Sequence, residues 1–189
     1  MHETVTLRPW GDGDLPILER NNTPEMTRFL GGPESAEALA NRHARFLRLW
    51  REGDARMFAV ESSRETEAVG SIGYWKKSWQ GEDVYETGWS VATPYQGRGL
   101  AAQALAACVE DAAQHGDRRW LLAFPRTDNA ASNALCRAAG FTLRGEEDFE
   151  YPKGTAIRSN VWAYDLAALR AEPAPQESQH RLRFPSLPE

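Results

Sequence analysis

At 189 residues, with 41% hydrophobic and 26% charged, the chain has the size and balance of one ordinary globular domain. No apolar run approaches the ~18 residues needed to span a bilayer, so no membrane partner is expected. The net charge of −5 argues against a general binder of nucleic acid and favours a ligand that carries positive charge.

The amino terminus, Met1-His2-Glu3-Thr4, has neither a basic n-region nor an apolar h-region, which predicts a cytoplasmic protein. Cys108 and Cys136 fall in helical patterns among alanines and leucines, as buried reduced thiols do. His2, His43, His115 and His180 are scattered without ligand spacing, and no metal is expected.

In chain order, Thr4 to Trp10 alternates Val5 and Leu7 with polar neighbours and breaks at Gly11-Asp12-Gly13, predicting a first strand and then a short helix. Thr23-Pro24 reads as an N-cap followed by a proline at the first helical position, and Ser35 caps a longer helix to about Trp50 with Leu39, Phe46, Leu49 and Trp50 on its apolar face. Three strands follow, at Met57 to Glu61, Ala68 to Tyr74 and Val84 to Val91, separated by polar segments that include Ser78 to Glu82. Leu100, Ala101, Ala104, Leu105, Cys108, Val109 and Ala112 recur at helical spacing until His115-Gly116. Trp120 to Phe124 is a strand, Asn129 opens a short helix that stops at Gly140, and Phe141 to Glu150 with Asn160 to Leu166 form a hairpin. The domain spans residues 1–170. Residues 171–189 form a polar, proline-rich tail in which Leu182, Phe184 and Leu187 are candidate anchors on the domain or in a homodimer.

Between the strand ending at Val91 and the long helix stands Gln96-Gly97-Arg98-Gly99-Leu100-Ala101. Two glycines within three residues allow a sharp turn that exposes backbone N–H groups, and the helix N-terminus behind them carries partial positive charge. The turn is therefore a candidate cradle for a pyrophosphate, alongside its plain reading as a strand-to-helix connection. It matches neither the dinucleotide fingerprint nor the P-loop, so dehydrogenase and NTPase readings fall away.

Some thirty residues downstream, Asn129-Ala-Ala-Ser132-Asn133-Ala-Leu135-Cys136-Arg137-Ala-Ala-Gly140-Phe141 follows the next strand. The pair of motifs, strand then Gln96-x-x-Gly99-x-Ala101 then helix, and strand then Asn129 to Phe141, resembles the GNAT superfamily of acyl-CoA-dependent N-acyltransferases. The closing run Asp148-Phe-Glu-Tyr151-Pro152 to Trp162-Ala-Tyr164-Asp165-Leu166 resembles its ribosomal-protein N-terminal acetyltransferase branch. The resemblance covers Val5 to Leu166. It implies an α/β (α+β) fold whose mostly antiparallel sheet splays between strands 4 and 5, with acetyl-CoA in the cleft.

By the family pattern, the backbone of Gln96, Gly97, Arg98, Gly99, Leu100 and Ala101 holds the CoA pyrophosphate, with an added charge from Arg98. Trp89, Ser90 and Val91 pair with the pantetheine amides, and Asn129 and Ser132 add contacts from the second motif. Gln103 reads as a solvated first-turn residue and Gly140 as a helix terminator.

Transfer of an acyl group to an amine requires the neutral nucleophile, and a free aliphatic amine has a pKa near 10, so a carboxylate is needed to take its proton. The resemblance points to Glu86 for that role, with the alternative of a salt-bridging strand residue; Glu82, Asp83 and Glu150 are reserves. Where many members carry a tyrosine acid, this chain has Cys136, which reads more as a buried small hydrophobe, so Ser132, Cys136 or solvent is left to protonate the thiolate. Trp75 and Trp79 are the exposed aromatics expected to frame the acceptor, a primary amine on a small molecule or a peptide.

Overall fold

A computed structural model describes residues 2–151 and 153–171, so the tail beyond 171 lies outside the described residues. Strand β1 (Val5–Pro9) leads through a 3-10 turn to helices α1 (Leu15–Arg20), α2 (Pro24–Thr27) and α3 (Ala36–Glu52). Then follow β2 (Ala55–Ser62), β3 (Gly70–Trp79), β4 (Glu82–Val91), α4 (Leu100–His115), β5 (Trp120–Ala123), α5 (Ala130–Ala138), β6 (Thr142–Glu150), β7 (Ala156–Asp165) and α6 (Leu166–Ala171).

The helix starts follow local chemistry. Thr23 Oγ1 accepts from the Met26 N–H at 3.2 Å, and Ser35 Oγ accepts from the Ala38 N–H at 3.1 Å. Gly53 ends α3 in the left-handed conformation.

The strands form one sheet in the order β1-β2-β3-β4-β5-β7-β6, antiparallel throughout except between β4 and β5. β3 pairs with β4 along the whole length of both strands, from Gly70↔Val91 to Trp79↔Glu82, whereas β4 meets β5 only at Tyr85↔Leu121 and Glu86↔Leu122. Beyond Glu86 the two strands part, which is the splay expected between strands 4 and 5.

The two faces of the sheet are covered unequally. On one, α4 buries Leu100, Ala104, Leu105, Cys108 and Ala112 against Val60, Ile72, Tyr74 and Leu121, and α5 adds Cys136. On the other, α1 and α3 cover Met57 and Ala59 through Ile17, Leu18 and Leu39. A smaller cluster of Val84, Leu122 and Ala163, with Trp79, Trp120 and Phe124 packed on it, continues along that second face.

Three boundaries differ from expectation. Ser78 to Glu82 is not a loop: β3 and β4 run on to a two-residue turn at Gln80 and Gly81, whose φ values of +50° and +81° suit the right-handed twist of a tight hairpin. β7 begins at Ala156, because Ala156 to Ser159 pairs with Glu147 to Glu150 at the rim. Leu166 turns into α6 and buries its side chain instead of extending the strand.

Candidate active site

The glycine turn closes on α4 as its spacing suggests. Gly97 and Gly99 have φ of +73° and +77°, with nothing within 4 Å of either missing Cβ, so backbone conformation and not crowding demands glycine there. Gly99 is the N-cap of α4 and provides no side-chain cap. The first intrahelical bond runs from Gln103 N–H to Gly99 O, so the N–H groups of Leu100 and Ala101 have no helical acceptor and face outward beside the turn. Uncapped donors at a helix N-terminus suit an anion.

Three side chains pin this turn from behind. Gln96 Nε2 donates to the Val91 carbonyl at 2.8 Å and lies 3.3 Å from Met26 Sδ on α2. Arg98, expected to meet a phosphate, instead engages both oxygens of Glu3 and, at 2.8 Å, Glu65. Those bonds hold the Glu3 carboxyl below its ordinary value. Gln103 is not free in solvent: its Oε1 accepts from Val5 N–H and its Nε2 donates to Glu3 O, tying α4 to β1.

Strand alternation decides what the open edge of β4 offers. The Ala92 N–H bonds Val69 on the β3 side, so Trp89 and Val91 turn their backbone groups away from β3, toward the splay. The side chains of Trp89 and Thr87 lie on the α4 face, where Thr87 Oγ1 donates to Gly73 O; Ser90 and Glu86 lie on the opposite face.

Glu86 is the last β4 residue paired with β5 and so stands at the crotch of the splay. Its Oε2 accepts from Lys77 Nζ at 2.6 Å, with the two side chains only 23% and 30% exposed. Lys77 in turn lies 4.5 Å from the Phe124 ring centre and 5.8 Å from that of Phe149. Trp75, the register partner of Glu86, leans over Gly88, where an added Cβ would come within 3.0 Å of its ring. Trp79 packs 6.3 Å from Phe124 and donates through Nε1 to Glu147 at 3.3 Å, while Gln80 bonds the other oxygen of Glu147. Neither tryptophan is exposed as the sequence suggested: Trp75 is half-buried against the cluster under α1 and α3, and Trp79 is half-buried against the cluster of Val84, Leu122 and Ala163.

The second motif borders the splay from the far side. Asn129 is the N-cap of α5, its Oδ1 accepting from Ser132 N–H at 3.1 Å, and Gly140 ends the helix with φ of +84°. Cys136 is fully buried, and burial pushes its thiol up to about 12, as it does for Cys108, so neither is poised to exchange a proton near neutrality.

The residue that sequence reasoning passed over is Asn133. Its Nδ2 donates to Arg126 O and Asn129 O, and its Oδ1 accepts from Asn160 Nδ2 and Trp162 Nε1. All four amide valences are used. The available signal was its place one turn before Cys136 on the buried stripe of a short helix.

A separate concavity of about 150 Å³ lies at the other end of α4, lined by Trp50, Arg56, Tyr74, Tyr85 and His115. Its charge is already matched internally, since Arg56 meets both Asp111 oxygens at 2.6 and 2.9 Å and Tyr74 donates to the same carboxylate. Among the described residues no cluster of His, Cys, Asp and Glu suits a metal, and no helix is long and apolar enough to cross a membrane.

Residues 4–142 match the family described as the acetyltransferase (GNAT) domain. The L-methionine sulfoximine/L-methionine sulfone acetyltransferase of Pseudomonas aeruginosa is 30% identical over 144 residues, 76% of this chain and 83% of that protein. The ribosomal-protein-serine acetyltransferase of Escherichia coli is 32% identical over 97 residues, 51% of this chain and 52% of that protein. Among solved structures, spermidine N-acetyltransferase from Vibrio cholerae, in complex with CoA and spermine, matches with a TM-score of 0.72 over 87% of this chain and 96% of that one; at 17% identity this speaks for the fold alone. With its splayed sheet, its uncapped helix behind a glycine turn and a family match over most of its length, the chain belongs to the GNAT acetyltransferases and is an acyl-CoA-dependent N-acetyltransferase with acetyl-CoA as co-substrate.

Proposed function

We propose that the acceptor is the primary amine of a small molecule and that Glu86 takes its proton during direct transfer in a ternary complex. The observation that carries this reading is the position of Glu86 at the end of the β4–β5 pairing, with Trp75 as its register partner and on the face opposite α4. The backbone N–H groups of the Gly97 to Ala101 turn hold the pyrophosphate, with Arg98 bracing the turn through Glu3 and Glu65. Trp89 and Val91 receive the pantetheine arm as an added strand, and Val91 N–H is the candidate donor to the thioester carbonyl; one well-aimed donor of this kind is typically worth ~3 kcal/mol. Ser132 or solvent protonates the departing thiolate, since Cys136 is buried.

Two contacts favour a small acceptor over a protein N-terminus. Trp79 and Gln80 dock on Glu147, and Phe29 after α2 lies against Arg126; these contacts tie the tip of the β3–β4 hairpin to β6 and the segment after α2 to the loop after β5, which suits a small acceptor better than a polypeptide. The Pseudomonas relative, which acts on methionine sulfoximine and sulfone, supports the same class.

The test is acetyl transfer to a panel of small amines, α-amino acids included, and to short peptides. Small amines should be preferred by about tenfold or more in kcat/KM. Glu86→Gln should lower kcat about a hundredfold or more and flatten its rise with pH, with CoA affinity retained. Unchanged turnover across pH in that variant would remove Glu86 as the base.

A further inference from the structure

The group seated at Glu86 is itself an amine. Lys77 Nζ sits 2.6 Å from Oε2 and faces Phe124, a carboxylate and an aromatic ring being what a site would present to an acceptor ammonium. The register explains how it gets there. Lys77 pairs with Val84, and its side chain reaches diagonally along the same face to Glu86, two residues on. Lys76, one residue earlier, points to the other face and pairs with Asp54 at 3.1 Å.

The sequence makes this placement conspicuous, because Lys76, Lys77 and Lys153 are the only lysines among 22 basic residues. We infer that Lys77 is a site of self-acetylation, modified within its own molecule by the bound acetyl-CoA. This rests on the reading of Glu86 as the base. Glu86 takes one proton from the Lys77 ammonium, and the neutral Nζ attacks the thioester carbonyl carbon. An N–C bond forms, the C–S bond breaks, the CoA thiolate takes up one proton through Ser132 or solvent, and the two protons lost from nitrogen pass to solvent, one of them by way of Glu86, so that one proton is released overall. The product is a neutral amide, so Glu86 loses its counter-charge at the crotch of the splay.

The experiment uses the whole chain incubated with acetyl-CoA and no added amine, followed by peptide mapping over time, with a parallel assay on the small-amine panel. Lys77 should acquire an acetyl group about a hundredfold faster than the exposed Lys76 and Lys153, at a rate per molecule independent of protein concentration. Lys77→Arg should remove the label, and in a mixture of wild-type protein and the Glu86→Gln variant only wild-type chains should carry it. Equal labelling of the three lysines, or labelling of the variant in that mixture, overturns the inference in favour of unassisted or intermolecular chemistry. An unlabelled Lys77 beside active transfer to small amines overturns it and leaves the proposed function standing; transfer to neither overturns both.

Discussion

Asn133 shows how much one buried amide can hold. Its four hydrogen bonds join the start of α5 to the β5 exit loop at Arg126 and to β7 at Asn160 and Trp162, so the end of α5 that carries Asn129 and Ser132 is fixed relative to the splay. Removing the amide leaves the buried Trp162 N–H and the Asn160 amide without their acceptor, and the Arg126 and Asn129 carbonyls with only the backbone N–H groups of Asn129 and Asn133. Because the deficit falls on groups shielded from water, it should far exceed the ~1 kcal/mol of an average hydrogen bond. Asn133→Ala should lower unfolding stability by about 2–4 kcal/mol in urea titration, and Asn133→Asp at neutral pH should do no better, since a carboxylate accepts but does not donate to Arg126 O and Asn129 O. A loss below ~1 kcal/mol would show that these bonds are replaced by solvent.

At the scale of elements, the glycine turn and α4 form a unit in which backbone conformation sets the chemistry. Gly99→Ala should be destabilising by about 1–2 kcal/mol, because its φ of +77° is unfavourable for a side chain even though space for one exists. CoA binding should weaken as well, since a shift of the first turn re-aims the Leu100 and Ala101 N–H groups; titration calorimetry with CoA measures it. Unchanged affinity in a folded variant would remove those groups from the binding site.

This unit was legible in the sequence because everything that makes it is local: two glycines, a helical stripe and a terminator. The hairpin of β3 and β4 was not. Its polar distal half carries no apolar alternation to announce a strand, and its turn relies on Gln80 at positive φ, where Asn or Gly would have been a clear signal. Misreading that turn hid the register, and with it the meeting of Lys77 with Glu86 and the burial of Trp75 and Trp79. The Arg98–Glu3 contact was invisible for another reason: it joins residues 95 positions apart, brought together only when β1 lies beside α4.

Among the described residues, ion pairs rather than free charge dominate the surface, and this shapes the response to acid. Burial alone would raise Asp14, but hydrogen bonds from Arg8 at 2.8 and 2.9 Å and from the Gly11 N–H outweigh it and hold the carboxyl below its ordinary value of 3.8. Tyr85 lowers Asp117 in the same direction, and Arg119 lowers Asp165. A group lowered on folding contributes stability that is complete above its unfolded value and is lost as pH falls through the folded one. Melting temperature should therefore hold from neutrality to just above the ordinary carboxylate range and fall below it. Asp14→Asn should cost about 1–3 kcal/mol at pH 7, with the gap from wild type closing as the pH drops below 3.8. A gap that stays constant with pH would mean that the charge of Asp14 does not matter.

The brevity of the contact between β4 and β5 also bears on how the chain assembles. Strands β1 to β4 join neighbours in chain order with few residues between β2, β3 and β4, so they close at small entropic cost. β5 must wait for α4 to cross the sheet, and then gains only the pairs at Tyr85 and Glu86 along its inner edge. The expected consequence is that the C-terminal strands β5, β7 and β6 dock last and lift first, so that their amide protons exchange with solvent through a lower-energy opening than those of β2 and β3, which hydrogen exchange measures. A ligand strand laid between the halves would slow that exchange, making the enzyme's own substrate part of its cohesion.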